Sequence, residues 1–442
     1  MYSQAYKYYV LSALTLVSTL NYLDQGLIGL LLQPIKEDLH LSDSQLGFLT
    51  GIAFALFYAT LGLPIARWAD RGNRSTITAL AIALWGSTVM LCLFVTNYVQ
   101  LVLARVAAGV GESGCMPPTY SLVGDYFPEN GERTRAMSIY WLANAFAALI
   151  SFILGGWINE HYGWRLTFFV MGTPALLVAL VVKLTVKEPR QHVRQQKQVA
   201  EPQLLKREVM SLLWHQRSTR HLIAAIVLLY TIGAGLAPWY AAFMIRSHGM
   251  QTGELGVWLG LIFGMSGIVG ILLGGYVSAR WFSTNERGQM RLSAIMIAMV
   301  VPFFMLFLLL PQKWGALTAL IPLSVAFGFF TGPAFALMQR LVPDEMRATT
   351  IAVTMLLANL IGMGLGPQIV GVLSDALNPV FAQDSLRYAM LLTSFVALWA
   401  AFHFWRVGRT VTYDLAMIAT RHRGRIADEA ARESPFEHAT AK

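Results

Sequence analysis

The chain has 442 residues, of which 56% are hydrophobic and only 13% charged, with a formal net charge of +9. Soluble domains average about a quarter charged residues, so this composition excludes an ordinary soluble enzyme and indicates an integral membrane protein. The excess charge is not a nucleic-acid patch: with the N-terminus in the cytoplasm, 27 of the 33 Lys and Arg fall on that side, the positive-inside bias that places both termini there.

A spanning helix needs about 20 apolar residues, and such runs lie at about 8–33, 45–66, 76–96, 99–124, 136–158 and 165–186, then at about 220–246, 254–279, 291–311, 315–340, 349–373 and 387–407. The expected fold is therefore all-α, integral to the membrane, with twelve transmembrane helices. The first run is too long for a signal peptide and contains Asp24, so it reads as a retained span. If that helix starts near Tyr8, Asp24 sits about 24 Å along it, in the outer half of the bilayer.

Between the second and third runs lies Asp70-Arg71-Gly72-Asn73-Arg74, an acid at a helix end followed by a turn and bases. The glycosylation acceptor Asn73-Arg74-Ser75 falls on the expected cytoplasmic side and is set aside.

The fourth run is the most informative. It carries Arg105 and Glu112 inside an apolar stretch and breaks its pattern at Gly114 and Pro117-Pro118. A central charge in a membrane helix costs about 3 kcal/mol on insertion scales and usually marks an ion or substrate path. The two residues are two turns apart, hence on one face about 10 Å from each other. Arg105 stands early in a helix antiparallel to the first, at the depth of Asp24. One reading is a structural ion pair that locks two helices; the other is a titratable pair in which Arg105 moves between Asp24 and Glu112. Burial raises a carboxylate's pKa and a nearby Arg lowers it. Gly109 to Gly114 spells GxGxxG, but inside a span, without the strand a dinucleotide site needs; small residues there serve close helix packing and bending.

A polar, basic stretch at 187–219 is the one long connection, with Leu204, Leu205, Val209, Leu212 and Leu213 at helical spacing, as in a short helix on the inner membrane surface. It divides the chain into a six-helix bundle at 1–186 and another at 220–407, with a cytoplasmic tail at 408–442. The halves are related. One ungapped offset places Pro118 on Pro333, Pro128 on Pro343, Leu142-Ala143-Asn144 on Leu357-Ala358-Asn359, and Gly156 on Gly371. Two pseudo-symmetric bundles form a transporter architecture, with the substrate site between them near the midplane. The same offset sets Arg105 on Leu320, Glu112 on Phe327 and Asp24 on Trp239. A cavity charged on one side and greasy on the other suits an amphipathic solute. Asn144 and Asn359, as repeat mates, and Tyr230 and Trp239 in the seventh helix are its candidate lining. Membrane Asn is often structural, and aromatics near helix ends often anchor at the interface. His221 and His403 lie near helix ends and read as incidental.

The loop Asp70-Arg71-Gly72-Asn73-Arg74 resembles the signature of the major facilitator superfamily in its Asn variant, although Ala66 stands where that family usually has Gly. Arg105 followed by Gly109, and Gly163-Trp164-Arg165-Leu166-Thr167-Phe168-Phe169, are similar to its fourth-helix and sixth-helix motifs. Asn21-Tyr22-Leu23-Asp24, the Asn-variant loop, and Arg105 with Glu112 before Gly114-Cys115-Met116-Pro117-Pro118 resemble the spinster lineage, particularly its bacterial members. The resemblance implies that Asp70, Arg71 and Arg74 hold a cytoplasmic gate. The degenerate second copy, Gly274-Gly275 and Arg287-Gly288 without an acid, makes that gate lopsided. It also implies that Asp24, Arg105 and Glu112 couple transport to protons, and that the cargo is lipid-like, as for the lysolipids and sphingolipid phosphates exported by animal spinster proteins.

No HExxH helix, GxSxG elbow, GK[ST] loop or Cys/His cluster with metal spacing occurs in the chain, and Cys92 and Cys115 offer no disulfide framework. No catalytic residues, metal or cofactor are expected, protons being the coupling ion. The expected function is secondary active transport of an amphipathic, lipid-like solute across a bacterial inner membrane, by a monomer with no obligate protein partner. The alternatives are an organic-anion symporter with Arg105 holding a carboxylate, a drug exporter of the same superfamily, a membrane enzyme acting on lipid head groups, and a passive channel. The last fits poorly with two related halves and a gate loop.

Overall fold

The computed structural model describes residues 2–189, 216–343 and 346–433. Among them every regular element is helical. The predicted surface helix around Leu204 lies outside the described residues.

In the first part α1 spans Gln4–Leu39, α2 Asp43–Thr50, α3 Ile52–Arg71, α4 Arg74–Leu91, α5 Tyr98–Ser113, α6 Met116–Tyr126, α7 Asn130–Leu149 and α8 Gly155–Thr185. In the second part α9 spans Arg217–Leu236, α10 Trp239–His248, α11 Thr252–Leu261, α12 Gly267–Trp281, α13 Glu286–Ala298, α14 Val300–Leu309, α15 Lys313–Arg340, α16 Arg347–Leu357, α17 Gly364–Phe381, α18 Ser385–Ser394 and α19 Val396–Glu433. Short π segments join α7 to α8 at Ile150–Leu154, α11 to α12 at Ile262–Ser266 and α16 to α17 at Ala358–Met363.

Local chemistry explains where these helices begin and turn. Ser42 and Gln45 form a reciprocal capping box at the start of α2, while the Asn73 and Asn97 side chains accept from Thr76 N (2.9 Å) and Gln100 N (3.0 Å), each satisfying a donor the helix leaves open. Gly163 has φ +82°, which a side chain would strain; it turns the chain inside α8, so that the 55-residue apolar run Gly131–Thr185 doubles back. The predicted fourth helix breaks at Gly114 and Cys115, between α5 and α6. Its glycines do seat close packing: a Cβ at Gly109 would stand 2.9 Å from the Phe54 carbonyl oxygen, and one at Gly111 2.8 Å from the Trp85 nitrogen. The last helix does not end near residue 407. It continues as α19, with Val411 buried and the Asp414 carboxylate accepting from the Ser218 amide at 2.8 Å, so the start of the predicted tail caps α9.

The two halves meet closely on one face. A Cβ at Gly47 would lie 2.6 Å from the Pro367 carbonyl oxygen, and one at Gly51, Gly156, Gly256 or Gly371 would collide with backbone of the other half. Polar groups cross the same seam. Asp43 accepts from both Arg246 Nη atoms (2.7 and 2.8 Å) and from Ser374 Oγ (2.6 Å). Asp375 in return accepts from the Asp43 and Ser44 amides (3.0 and 2.7 Å) at the start of α2. This is the Asp43 face; the opposite one carries Arg71, Arg74 and the start of the linker.

Candidate functional site

Asp24 on α1 and Arg105 on α5 are joined by a short ion pair from the Arg105 Nη1 to the Asp24 Oδ2. Asp24 is fully buried and Arg105 is 4% exposed. The guanidinium also lies over the Phe54 ring, 5.0 Å from its centroid, a placement that offsets some of its desolvation. Two turns further along α5, Glu112 is fully buried and neither carboxylate oxygen makes a well-formed hydrogen bond. Asp24 and Gln25 are its nearest side-chain partners, with Arg105, Tyr58 and Cys115 close enough to feel its charge. Asn21 Nδ2 reaches the Glu112 backbone oxygen at 3.5 Å. Burying an unpaired ion is costly. The one guanidinium here pairs with Asp24 and leaves Glu112 without an ion-pair partner.

The cluster adjoins a cavity of about 200 Å³ between the two halves. Tyr22, Gln25, Arg105 and Asn144 line it from the first half, and Phe263 and Met363 from the second. A narrower void within the first half touches Asp24, Cys92 and the other side of Arg105. Arg105 therefore bridges a sealed carboxylate and an open space. The first half contributes amide, phenol and guanidinium groups, whereas Ala234, Ala237, Pro238 and Phe263 make the facing wall apolar.

The other expected lining residues fare unequally. Asn144 is in the wall. Tyr230 is half-buried, with its hydroxyl 3.7 Å from the Met355 sulfur, and lies within electrostatic reach of Tyr22, Tyr58 and Tyr120 across the gap. Asn359 is half-buried in the π segment Ala358–Met363, beside the wall residue Met363. Trp239 is fully buried; its neighbour Pro238 faces the cavity in its place. Among the wall residues that sequence reasoning passed over are Tyr22, Gln25, Phe263 and Met363. Gln25, next to Asp24 in the polar run Asn21 to Gln25, carried a signal; the apolar two did not.

The predicted gate loop is ordered around Arg74. Its buried guanidinium pairs with Glu188 through Nε (3.0 Å) and a shorter contact from Nη2, and it reaches Asp125 (2.7 Å) and Ser121 (2.7 Å). Its backbone amide donates to Glu188 at 2.6 Å. Arg71 is exposed and the Asp70 side chain lies outside the described set. Arg74 thus ties the loop to the ends of α6 and α8 within its own half.

Comparison with known proteins agrees with this architecture. Residues 14–367 match the Major Facilitator Superfamily. The chain is 32% identical over 397 residues to an MFS-type efflux pump of Mycolicibacterium smegmatis, covering 89% of this chain and 90% of that protein. It is 25% identical over 418 residues to a sphingosine-1-phosphate transporter of Danio rerio, covering 88% and 81%. The crystal structure of a bacterial homolog to the human lysosomal transporter spinster, inward-facing and unoccupied, superposes with a TM-score of 0.82 at 28% identity, covering 93% of this chain and 99% of that one.

Proposed function

The chain belongs to the Major Facilitator Superfamily, and from that premise we propose that this multi-pass membrane transporter couples the movement of an amphipathic, lipid-like solute to protons by alternating access. Twelve passes account for the helices. Of the eight apolar stretches long enough to cross, Gly131–Thr185 and Thr349–Ile418 are each long enough for two passes; α1, its hydropathy lowered by Asp24, and the α5–α6 pair, broken at Gly114 and Cys115 into helices of 16 and 11 residues, supply the rest. In this reading 1–186 and 220–407 are the bundles, the termini and the Arg74 face are cytoplasmic, and the membrane is a bacterial inner membrane. The state described is closed at the outer, Asp43 face.

One observation carries the proposal: Arg105 lines the space between the halves while holding Asp24, with Glu112 buried and unsatisfied beside them. A surplus carboxylate in hydrocarbon is discharged by a proton. When the bundles rock, Arg105 exchanging Asp24 for Glu112 moves that proton from one carboxylate to the other. In the protein reconstituted in liposomes, an imposed pH gradient should drive cargo movement at least tenfold faster than none. Glu112→Gln and Asp24→Asn should each abolish that dependence. Equal gradient dependence in both variants would refute it.

The second reading, an organic-anion symporter, is favoured by Arg105 facing the cavity. In it a cargo carboxylate displaces Asp24, and small carboxylates shift the thermal unfolding of the wild type but not of Arg105→Ala.

A further inference from the structure

Where α13 and α19 reach the cytoplasmic boundary, the second half gathers arginines that no acid answers. Arg291 stands in the second turn of α13, and Arg406 and Arg409 lie where α19 leaves the bilayer. Among the described residues none of the three forms an ion pair, and the Nε atoms of Arg291 and Arg406 are shielded from solvent without an acceptor. The nearby acids are engaged elsewhere. Glu286 pairs with Arg340 at 2.6 Å, and Asp414 accepts from the Ser218 amide at 2.8 Å. His221 and His403, within electrostatic reach of Arg406, face each other with their Nδ1 atoms 2.8 Å apart. A shielded N–H without a partner is costly, so each of these donors calls for an acceptor from outside the chain.

Packing holds these guanidiniums in place. A Cβ at Gly408 would lie 3.4 Å from Arg291 Cγ and 3.2 Å from the Arg287 carbonyl oxygen, so the glycine lets the Arg291 stem rest against α19. The Arg291 guanidinium then sits over the Trp405 ring, 5.1 Å from its centroid, and that of Arg406 lies 5.9 Å from the Phe402 centroid. A guanidinium stacked by its face keeps its N–H edge free to donate. Phe402, Trp405, Arg406 and Arg409 share one face of α19, within about 100° of the helix circumference. That face is outward: Phe402, Trp405 and Arg409 are exposed, as is Ile295, one turn deeper than Arg291 on α13. Cations at the boundary, with apolar side chains one turn deeper, match a phosphate above an acyl chain.

We propose that this face of α13 and α19 is a binding site for one anionic phospholipid of the cytoplasmic leaflet, its phosphodiester held by Arg291, Arg406 and Arg409 and its chain lying on Phe402 and Ile295. The positive-inside bias accounts for arginines on this side but not for shielded Nε donors lacking an acceptor, nor for the rings that hold them. A phosphodiester supplies the paired oxygens that a planar guanidinium fork accepts. A zwitterionic lipid brings its own ammonium and leaves the cluster uncompensated, whereas an anionic one does not. Neither α13 nor α19 contributes a residue to the cavity between the halves. The lipid is therefore a resident of the second half, distinct from the cargo, and the inference does not depend on how transport is coupled.

The test titrates the delipidated full chain in detergent with dioleoyl phosphatidylglycerol or dioleoyl phosphatidylcholine, counting bound lipid by native mass spectrometry. The first phosphatidylglycerol should bind at least tenfold tighter than phosphatidylcholine. Arg291→Gln and Arg406→Gln should each weaken it severalfold, and the double variant at least tenfold. Arg135→Gln, the same charge change at an exposed position of the first half, should leave it within twofold. Inorganic phosphate in large excess should not displace the lipid. A second readout keeps the wild-type arginines. In nanodiscs, phosphatidylglycerol with brominated chains should quench the Trp405 emission, taken as wild type minus Trp405→Phe, more strongly than brominated phosphatidylcholine at equal mole fraction. Phosphatidylglycerol bound no tighter than phosphatidylcholine, or equal quenching by the two, would overturn the inference. So would an Arg135→Gln loss as large as that of the double variant, which would reduce the effect to net charge. Displacement by phosphate would overturn it as well, leaving a site for a free anion.

Discussion

Asp24, Arg105 and Glu112 are one charge system that no member can leave without cost to the others. Removing the guanidinium leaves a fully buried carboxylate without its counter-ion, and breaking a buried pair costs about 3–5 kcal/mol. Arg105→Ala should therefore lower the unfolding temperature in nanodiscs markedly, and adding Asp24→Asn should recover at least half of the loss; a double variant no better than the single would show that the pair adds nothing. This system was legible in the residues because charges in hydrocarbon are rare. Spacing put Arg105 and Glu112 on one face, and antiparallel helices put Asp24 opposite. Trp239 was misread for the converse reason. A core position and a cavity position in a membrane helix are both apolar, so nothing in the sequence told Trp239 from Pro238, or flagged Phe263 and Met363 as wall.

The helices that meet across the seam are interrupted close to where they meet. The chain breaks at Gly51, whose φ and ψ (−99° and −94°) are not helical, and shifts to π geometry at Ile150–Leu154, Ile262–Ser266 and Ala358–Met363. Such π segments recur at functional sites in helices. They lie where the halves pack together, so a propensity reading passes over them. The carboxylate–amide exchange between Asp43 and Asp375 was likewise hidden, being a pairing between distant segments. Charge-assisted hydrogen bonds contribute roughly 1.5–3 kcal/mol each. Asp43→Asn should thus shift the population towards the outer-open state by more than tenfold, read from the distance between spin labels on the Asp43 face. Gly256→Val, which places carbon against the Phe152 carbonyl, should act in the same direction. Unchanged distance distributions in both variants would count against this face as the closed gate.

At the scale of the molecule, a polar half faces an apolar half across one cavity, and the internal repeat made that asymmetry readable before any coordinates. The offset that set Asp24, Arg105 and Glu112 on Trp239, Leu320 and Phe327 anticipated which wall is charged. It did not anticipate that Arg74 binds Glu188, at the very start of the linker, because the partner lies outside the loop motif. Arg74→Ala should leave cargo binding within about twofold while slowing transport at least tenfold, since the pairs it breaks are remote from the cavity; a matched loss of binding would assign the loop a different role.

The account stands on Glu112 carrying a proton in the outer-closed state, and infrared difference spectroscopy on the protein in nanodiscs reads that proton directly. The prediction is a carbonyl stretch of a buried, protonated carboxylic acid that shifts in heavy water and is missing from Glu112→Gln. The same band at undiminished intensity in Glu112→Gln would contradict it.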